Sequence, residues 1–328
     1  MNEIRITEND SIVFHLHSSG ALGEGVSGFP CTAEFNLKSI LGGIKMKNLQ
    51  FTLFLFLICI TVNVQSQESS DISKKFELKY QMKKGKEFTF FSLGYGNKYA
   101  KTNSSLTFIS SRERELIQDW EVLSSNENYT VFELEYNKLE FIDTDKEKNI
   151  TKTNFSPVIG KKVRLTISSN GKMSNFKGFN NLPSVSFPNG EMDSSLYRAE
   201  LTHMFPILPS KPVKIGDTWS REAWGFIIEY KLISEIEFNG YDCVRIFAQI
   251  KPGKTTFERK DQNGNEYNIN MIGGGYSDIY YFAYKEGMIL YRFSVNSYRE
   301  DIHTSEEDKI LQHLIRDQIW EEHVIFKN

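Results

Sequence analysis

The sequence has few of the residues from which disulfides and metal sites are built. It contains 3 cysteines and 6 histidines among 328 residues, and Cys243 is the one cysteine after residue 66. An intramolecular disulfide is therefore excluded from the chain beyond residue 66, so packing must hold the fold together. The histidines there, His203, His303, His313 and His323, do not form a close pair of the kind that binds zinc from one helix or hairpin. The sequence predicts no metal site and no cofactor.

An excess of charge of one sign is also absent. The chain has 39 Lys and Arg against 42 Asp and Glu, a net charge of −3. Binding to nucleic acid or to an anionic membrane surface calls for clustered positive charge, and neither partner is predicted. Long apolar runs are missing too: the run at residues 51–62 is shorter than the roughly 20 residues that span a bilayer. No transmembrane segment is predicted in the mature chain.

Residues 46–66 have the pattern of a secretory signal peptide. The segment starts at Met46 between two lysines, continues through the apolar run and ends in polar "NVQSQ". Cleavage is expected near Ser66-Gln67, and Cys59 lies inside the apolar run, where a lipid-modified cysteine is not expected. Residues 1–45 are predicted to be an over-extended start or a disordered leader. The protein is expected to be exported to the periplasm, or to be outer-membrane-associated or secreted, in a Gram-negative bacterium.

Aromatic residues, in contrast, are abundant at 13% of the chain, and they alternate with polar residues from Phe76 onward. In "FELKYQM", Phe76, Leu78, Tyr80 and Met82 share one face, and "VFELEY" repeats the pattern. Such alternation is typical of half-buried strands. The predicted fold class is mainly β with a few helices: a single curved antiparallel sheet, a half-barrel-like meander, covered by helices. Residues 67–328 are predicted to form one domain.

Short turns support an antiparallel arrangement. Asn-Gly, the dipeptide best suited to a type I′ hairpin turn, occurs at Asn170-Gly171, Asn239-Gly240 and Asn263-Gly264. A fourth hairpin is predicted at "KEG", residues 285–287, and a turn at residues 84–85. Successive strands are therefore expected to pair with each other.

Two helices are predicted, at about residues 191–205 and 304–321. The second follows a capping box, Thr304 and Glu307, and carries an apolar stripe at Ile310, Leu311, Leu314, Ile315 and Ile319. This C-terminal helix is expected to be amphipathic and to pack on the sheet. Gln318 interrupts the stripe, and Trp320 falls off it.

The segment "FPILPSKPVKIGDTWSR", residues 205–221, is predicted to connect the first helix to a strand. Pro206 ends the helix because it removes a backbone donor and disfavours helical geometry in the preceding residue. Gly216 is expected to turn the chain into one long strand that carries Trp219, Trp224, Phe226 and Ile228.

Three segments carry a resemblance to a known family. "LKYQMKKGKEFTF", "VRLTISSNGKMSNFKGF" and "FPILPSKPVKIGDTWS" resemble an uncharacterised family of secreted bacterial β-rich proteins, whose members share an "lPxkpVkvGDtW" motif. The match covers most of residues 76–300. That family is similar in architecture to LolA- and LppX-type envelope carriers, so the resemblance implies a curved antiparallel sheet that holds an apolar ligand under helices.

No constellation of catalytic residues stands out. Cys243 alternates with Arg245 along a strand, and a buried, inert thiol is the favoured interpretation over a nucleophile. "DQNGNE" from Asp261 departs from a calcium loop because Gly264 comes two positions early and the twelfth residue is Ile272. The glycines at residues 273–275 lack the Lys-Ser/Thr of a phosphate loop. The sequence therefore predicts a protein that is not an enzyme.

The aromatic hairpin at residues 276–298 is apolar on both faces, so its second face must be covered. Packed helices, another sheet, or a ligand in a cavity with aromatic walls would each cover it. The candidate ligand-binding residues are Trp219, Trp224, Tyr280, Phe282, Tyr284, Tyr291 and Phe293.

Three functions remain open at this stage. The leading hypothesis is a non-catalytic envelope protein that binds a lipid or another hydrophobic small molecule in a β-sheet cavity. The second is a cell-envelope interaction module that binds protein or polysaccharide through exposed aromatic residues. The third is a hydrolase with dispersed carboxylates, which requires two acidic residues with raised pKa values in the main cleft.

Overall fold

The computed structural model of the protein describes residues 3–6, 11–16, 31–36, 73–102, 105–188, 190–223, 226–250, 253–260, 266–304 and 310–327. The chain divides into two units, residues 1–69 and 70–328. The first unit contains a three-stranded antiparallel sheet of β1 (Glu3–Ile6), β2 (Ser11–Leu16) and β3 (Cys31–Asn36). The predicted signal peptide, residues 46–66, lies outside the described residues, so export stays a prediction.

An antiparallel sheet of 13 strands, which is not closed, forms most of the second unit. Along the sheet the strands are β10 (Met173–Lys177), β9 (Lys162–Ser168), β7 (Tyr129–Asp145), β6 (Leu106–Ser125), β5 (Glu87–Lys101), β20 (Ile310–Phe326), β19 (Met288–Thr304), β18 (Glu266–Ala283), β16 (Tyr241–Ile250), β15 (Phe226–Phe238) and β14 (Thr218–Ala223). In addition, β8 (Ile150–Thr153) pairs with β7, and β17 (Gly253–Lys260) pairs with β18. Two short pairs join β4 (Lys75–Phe76) to β13 (Val213–Lys214) and β11 (Val185–Phe187) to β12 (Gly190–Met192). The predicted mainly β, antiparallel fold class is confirmed.

The predicted hairpins follow from the backbone geometry of their turns. Asn239 and Gly240 both have positive φ, 52° and 80°, between β15 and β16, as a type I′ turn requires. Gly171 and Gly287 have positive φ in the β9–β10 and β18–β19 turns. Strands β17 and β18 also pair, although the Asn263-Gly264 turn between them lies outside the described residues.

The prediction of a C-terminal helix at residues 304–321 is wrong. Strand β19 continues through Thr304, and β20 occupies residues 310–326. β20 pairs with β5 from His313 to Phe326 and with β19 from Ile310 to His323. Hydrogen-bonded partners along both edges outweigh the local helical pattern, since tertiary context routinely overrides intrinsic propensity.

The helix predicted near residues 191–205 is confirmed as α1 (Ser194–Met204). The Asp193 carboxylate accepts hydrogen bonds from the backbone N–H groups of Ser195 and Leu196, both at 2.9 Å, which makes Asp193 an N-cap. The Ser195 side chain also donates to it, and these bonds lower the pKa of Asp193. α1 ends before Phe205, which has extended backbone dihedrals ahead of Pro206. A 3₁₀ turn at Phe179–Asn181 is packed beside α1.

The prediction of one long strand after Gly216 is also wrong. Gly216 does turn the chain, with φ 95°, but β14 and β15 are separate strands that pair from Thr218 opposite Lys231 to Ala223 opposite Phe226. Residues 224–225, which include Trp224, lie between them and outside the described residues. A Trp-Gly pair is too brief a signal to separate two strands of the same apolar character, so the hairpin was missed.

The two faces of the sheet differ in what packs on them. On β6, Leu116 and Gln118 lie against Tyr197 and Leu201 of α1, and Trp120 lies 5.9 Å from Phe205 between ring centroids. These β6 residues and the residues opposite them in neighbouring strands form the face called here the helix side. The alternate residues form the open side. Within the described residues, no helix is long and apolar enough to cross a membrane.

Candidate functional site

The predicted ligand residues are divided between the two faces of the sheet. Tyr280 lies opposite Arg292, and Phe293 lies opposite Ile279. Directly opposed residues share a face, which places Tyr280 on the helix side and Phe293 on the open side. Tyr291 shares the open side with Phe293, and Trp224 lies outside the described residues. The predicted residues therefore do not form one surface.

Two of the predicted residues pack on the helix side, half-buried Trp219 against the core and Phe282 within it. The Trp219 ring stacks on Tyr230 at a centroid distance of 5.5 Å, and its indole N–H donates to the carbonyl of Ile207 at 2.7 Å. Phe282 is completely buried and meets Tyr80 edge-on at 5.4 Å. Contacts of this kind fix a core rather than line an open cavity.

Tyr280 and Tyr284 use their hydroxyl groups within the protein. Buried Tyr280 donates to the carboxylate of Asp278. Half-buried Tyr284 donates to Glu235 at 2.8 Å, and its ring meets Phe76 edge-on at 5.3 Å. Both side chains are thus held by neighbouring residues, and their contact with a ligand stays a prediction.

Two spaces described on the helix side are small. One, between α1 and strands β6 and β7, has a volume of about 10 Å³ and is lined by Leu116, Tyr136 and Leu201 among others. A second, between Phe205 and strands β19 and β20, also has about 10 Å³. Ligand pockets usually have volumes of roughly 300–1,000 Å³. Protein side chains fill these two places beneath α1, where the resemblance implied a ligand.

A larger space lies on the open side, where five consecutive strands form a groove of about 330 Å³. The strands are β7, β6, β5, β20 and β19, in that order. This five-strand groove is lined by the open-side residues Leu93, Tyr95, Glu113, Glu115, Glu140, Ile142, Phe293, Ile319 and Glu321, and it is bordered by Gly94 and Arg114. Of the six predicted residues that the structure describes, Phe293 alone lines it.

Strand register explains why the lining is regular. One row runs across the sheet through five directly paired residues: Phe293, Glu321, Leu93, Glu115 and Glu140. The next row contains Ile319, Tyr95, Glu113 and Ile142. Apolar and acidic side chains therefore stand beside each other, and neighbouring strands are about 4.8 Å apart. The groove offers an apolar floor with carboxylates at short intervals.

The apolar floor is partly open to solvent. Leu93, at the central strand, is 43% exposed, which is unusual for a leucine in the middle of a paired strand. Tyr95 is half-buried, and its hydroxyl donates to Asn97 at 3.0 Å. Burial raises the pKa of Tyr95, so the phenol stays neutral at ordinary pH. The floor thus presents neutral surface to a bound molecule.

Two of the four groove carboxylates have lysine partners at the surface. Lys138 Nζ lies 2.5 Å from Glu115, and Lys152 Nζ lies 2.9 Å from Glu140. Glu321 accepts a hydrogen bond from His323 at 3.2 Å, which lowers the pKa of Glu321. Glu113 is exposed. Among the described residues no basic side chain lies within ion-pair distance of Glu113.

A chain of ring contacts leads into the groove along the open side. It runs from Phe238 to Tyr281 at 5.0 Å between centroids, then to Tyr291 at 5.2 Å, to His323 at 5.0 Å and to Phe91 at 6.4 Å. Tyr291, His323 and Phe91 each lie two residues from a member of the groove lining on the same strand. The continuous aromatic stripe and the groove therefore share one face.

The helix side contains a buried ionic cluster instead of a cavity. Arg292 lies between two carboxylates, with nitrogen to oxygen distances of 3.2 Å to both Asp278 and Glu322. All three side chains are almost completely buried. Burial raises the pKa of Glu322. Tyr276 and Tyr280 also donate to Asp278. The cluster therefore links β18, β19 and β20 inside the protein.

Other residues considered from the sequence have structural surroundings. Cys243 is completely buried as a free thiol, and burial raises its pKa to about 12. Gly273 and Gly275 lie within β18 at a bulge, not in a phosphate loop. The possible calcium loop, residues 261–265, lies outside the described residues. Within the described part of the chain no cluster of three His, Cys, Asp or Glu side chains is arranged to hold a metal ion.

Comparisons with known proteins give distant structural similarity alone. No protein-family model matches the chain, and no curated protein does. A solved structure described as "Lipid-protein interactions in lipovitellin" matches with 8% identity and a TM-score of 0.43, over 76% of this chain and 26% of that one. This chain thus corresponds to a minor part of that protein. A similarity of this size assigns no function to the chain.

Proposed function

We propose that this protein is a non-catalytic, exported protein of the bacterial envelope that binds a lipid-like small molecule in the five-strand groove. The observation that carries the proposal is the groove itself. Its volume of about 330 Å³ and its apolar floor match the usual character of small-molecule sites, which are mostly apolar with a few placed polar groups. The small spaces beneath α1 do not.

The position of the groove favours binding over catalysis. A hydrolase built on these carboxylates needs a general acid whose pKa is raised, whereas the hydrogen bond from His323 lowers the pKa of Glu321. Glu322, whose pKa is raised by burial, lies on the helix side. Asp317, whose pKa is also raised by burial, is on the open side but does not line the groove. Neither acid with a raised pKa is therefore among the groove carboxylates.

Matched variants of the full-length protein test the proposal. Leu93→Ser with Phe293→Ser removes two apolar residues from the groove floor. Leu106→Ser with Phe108→Ser removes the same residue types at the start of β6, where Leu106 is 53% exposed and neither residue lines the groove. Burial of a Leu or Phe side chain contributes about 1.5–3 kcal/mol. The groove variant should therefore lose tenfold or more in affinity for an apolar probe.

The measurement is native mass spectrometry with solvent extraction, followed by calorimetric titration of dodecanol. We expect a co-purifying small molecule in the wild type and in the Leu106/Phe108 control, and its loss from the Leu93/Phe293 variant. Thermal unfolding checks that both variants remain folded. Equal dodecanol binding by the wild type and the folded groove variant would contradict the proposal, as would a wild type that binds none.

A further inference from the structure

The lining of the five-strand groove is acidic as well as apolar. Four carboxylates, from Glu113, Glu115, Glu140 and Glu321, border it. Surface lysines are paired with Glu115 and Glu140. Glu321 is paired with His323, and Glu113 has no ion-pair partner among the described residues. The lining therefore has more carboxylates than lysines.

The one arginine at the border does not offset this charge. Arg114 lies opposite Gly94, and Gly94 lies opposite Trp320, all on the helix side. The Arg114 guanidinium pairs with Glu200 of α1 and lies 5.0 Å from the Trp320 ring centroid. Its side chain is 6% exposed. The guanidinium is thus held on the helix side, away from the open-side lining, so it does not face an anionic headgroup in the groove.

The spacing suits a compact cation attached to an apolar chain. Leu93 lies between Glu321 and Glu115 in one row, and Tyr95 lies next to Glu113 in the following row. When the positive headgroup lies among these carboxylates, the apolar chain attached to it can pack on Leu93 and Phe293. The ring faces of Tyr95 and Phe293 add the attraction of aromatic groups for cations. The same carboxylates would repel the headgroup of an anionic lipid.

We infer that the groove selects an amphiphile with a cationic headgroup, of the alkyl-ammonium class, over neutral and anionic amphiphiles of the same chain length. This inference rests on the proposed function and specifies its ligand class. Charge complementarity carries it: the groove of about 330 Å³ has acidic residues on three of its strands, β6, β7 and β20, and among the described residues the basic side chains paired with them are Lys138, Lys152 and His323.

The test compares three probes that share a twelve-carbon chain: dodecyltrimethylammonium, dodecanol and dodecanoate. Each is titrated into the full-length protein by calorimetry, below its micelle concentration and at low ionic strength. We expect the cation to bind about tenfold more tightly than the alcohol, and the carboxylate more weakly than both, because each charge pair near a protein surface contributes about 1–4 kcal/mol. The preference should shrink as salt is added.

Two pairs of variants separate the charge from the groove. Glu113→Gln with Glu321→Gln should bring the ratio of cation affinity to alcohol affinity close to one. Glu121→Gln with Glu237→Gln removes two exposed carboxylates outside the groove and should keep the wild-type ratio. A wild type that binds the three probes equally overturns the inference and leaves the proposed function standing. Binding of none of the three overturns both.

Discussion

At the residue scale, Arg292 and its two carboxylates are the most demanding feature of the interior. Asp278 is completely buried, and its Oδ2 atom accepts from Arg292, Tyr276 and Tyr280. A buried ion pair resists the loss of one partner because the remaining charge is left without compensation. The cluster has two carboxylates for one guanidinium, so the two acids should not be equally important.

Asp278→Asn should therefore destabilise the protein more than Glu322→Gln. The first change leaves Arg292 without the acceptor that also holds Tyr276 and Tyr280, at a cost of about 3–5 kcal/mol. The second leaves the contact between Arg292 and Asp278 intact and should cost less. Urea unfolding of the two variants measures the difference, and equal losses would contradict this account of the cluster.

The effect of Glu322→Gln should also depend on pH. Burial raises the pKa of Glu322 above its ordinary value of 4.5, so the folded state favours the protonated acid. The contribution of Glu322 to the stability of the wild type is fully present below pH 4.5. It is lost as the pH rises through the raised pKa. Glutamine does not titrate. The stability of the variant relative to the wild type should therefore improve as pH rises above about 4.5, and an opposite slope in urea unfolding would be inconsistent with it.

At the element scale, the β9–β10 hairpin is fixed by its contact with the segments that cross beside it. Tyr80 N–H donates to the Ser169 carbonyl at 2.9 Å, and Leu208 N–H donates to the Asn170 carbonyl at 2.9 Å. At Gly171, a Cβ atom would lie 2.6 Å from the Pro206 carbonyl oxygen. The hairpin turn thus requires glycine for its conformation and for the close approach of another segment.

Gly171→Ala and Gly216→Ala form a matched pair that separates these two requirements. Their φ angles are 93° and 95°, but a Cβ atom at Gly216 would meet nothing within 4 Å. Both variants incur the strain of a left-handed alanine, roughly 1–2 kcal/mol. Gly171→Ala should lose a further 1–3 kcal/mol, about the usual cost of overpacking. Chemical denaturation of both checks this; similar losses would show that the contact is unimportant.

Strand β20 shows where local pattern and tertiary pairing disagree. The stripe from Ile310 to Ile319 has helical spacing, yet Gln318 and Trp320 break it, and both face the helix side of the sheet beside Gly96 and Gly94. A Cβ atom at Gly94 would lie 2.2 Å from the Trp320 ring. The two glycines in β5, together with a tryptophan in β20 that falls outside the helical stripe, are the sequence signal that could have identified this pairing.

At the scale of the whole molecule, β20 connects the two halves of the sheet. Within the sheet, β20 lies between β5 on one side and β19 on the other. Its removal would leave the long edges of β5 and β19 unpaired, and such edges promote aggregation. A chain ending at residue 309 should therefore be aggregated or lose most of its strand signal. Far-ultraviolet circular dichroism and gel filtration check this.

The control for that truncation ends the chain after Phe326. It removes the backbone hydrogen bond from Lys327 to Glu87 but none of β20, and it should remain soluble with a wild-type spectrum. A soluble, β-rich chain of residues 1–309 would contradict the structural role assigned to β20.

The sequence predicts the strands and hairpins of this fold better than it predicts the pairing of strands that are far apart in the chain. Alternation and Asn-Gly turns predict strands and hairpins because both depend on neighbours in the chain. The pairing of β5 with β20, and hence the groove, depends on residues far apart in sequence. The bulge between Tyr281 and Phe282 also changes which side chains share a face, so the aromatic hairpin identified Phe293 without revealing Leu93, Tyr95 or the groove carboxylates.

The position of β20 also has a consequence for biosynthesis. A ribosome makes β5 early, yet one of its two neighbours is the last strand in the described chain. Each half of the sheet can begin to pair as it emerges, but the seam between them closes only after residues 310–326 have been synthesised. Contacts of such long range make folding slow. Until that seam closes, β5 and β19 each have an unpaired edge that can pair with another chain.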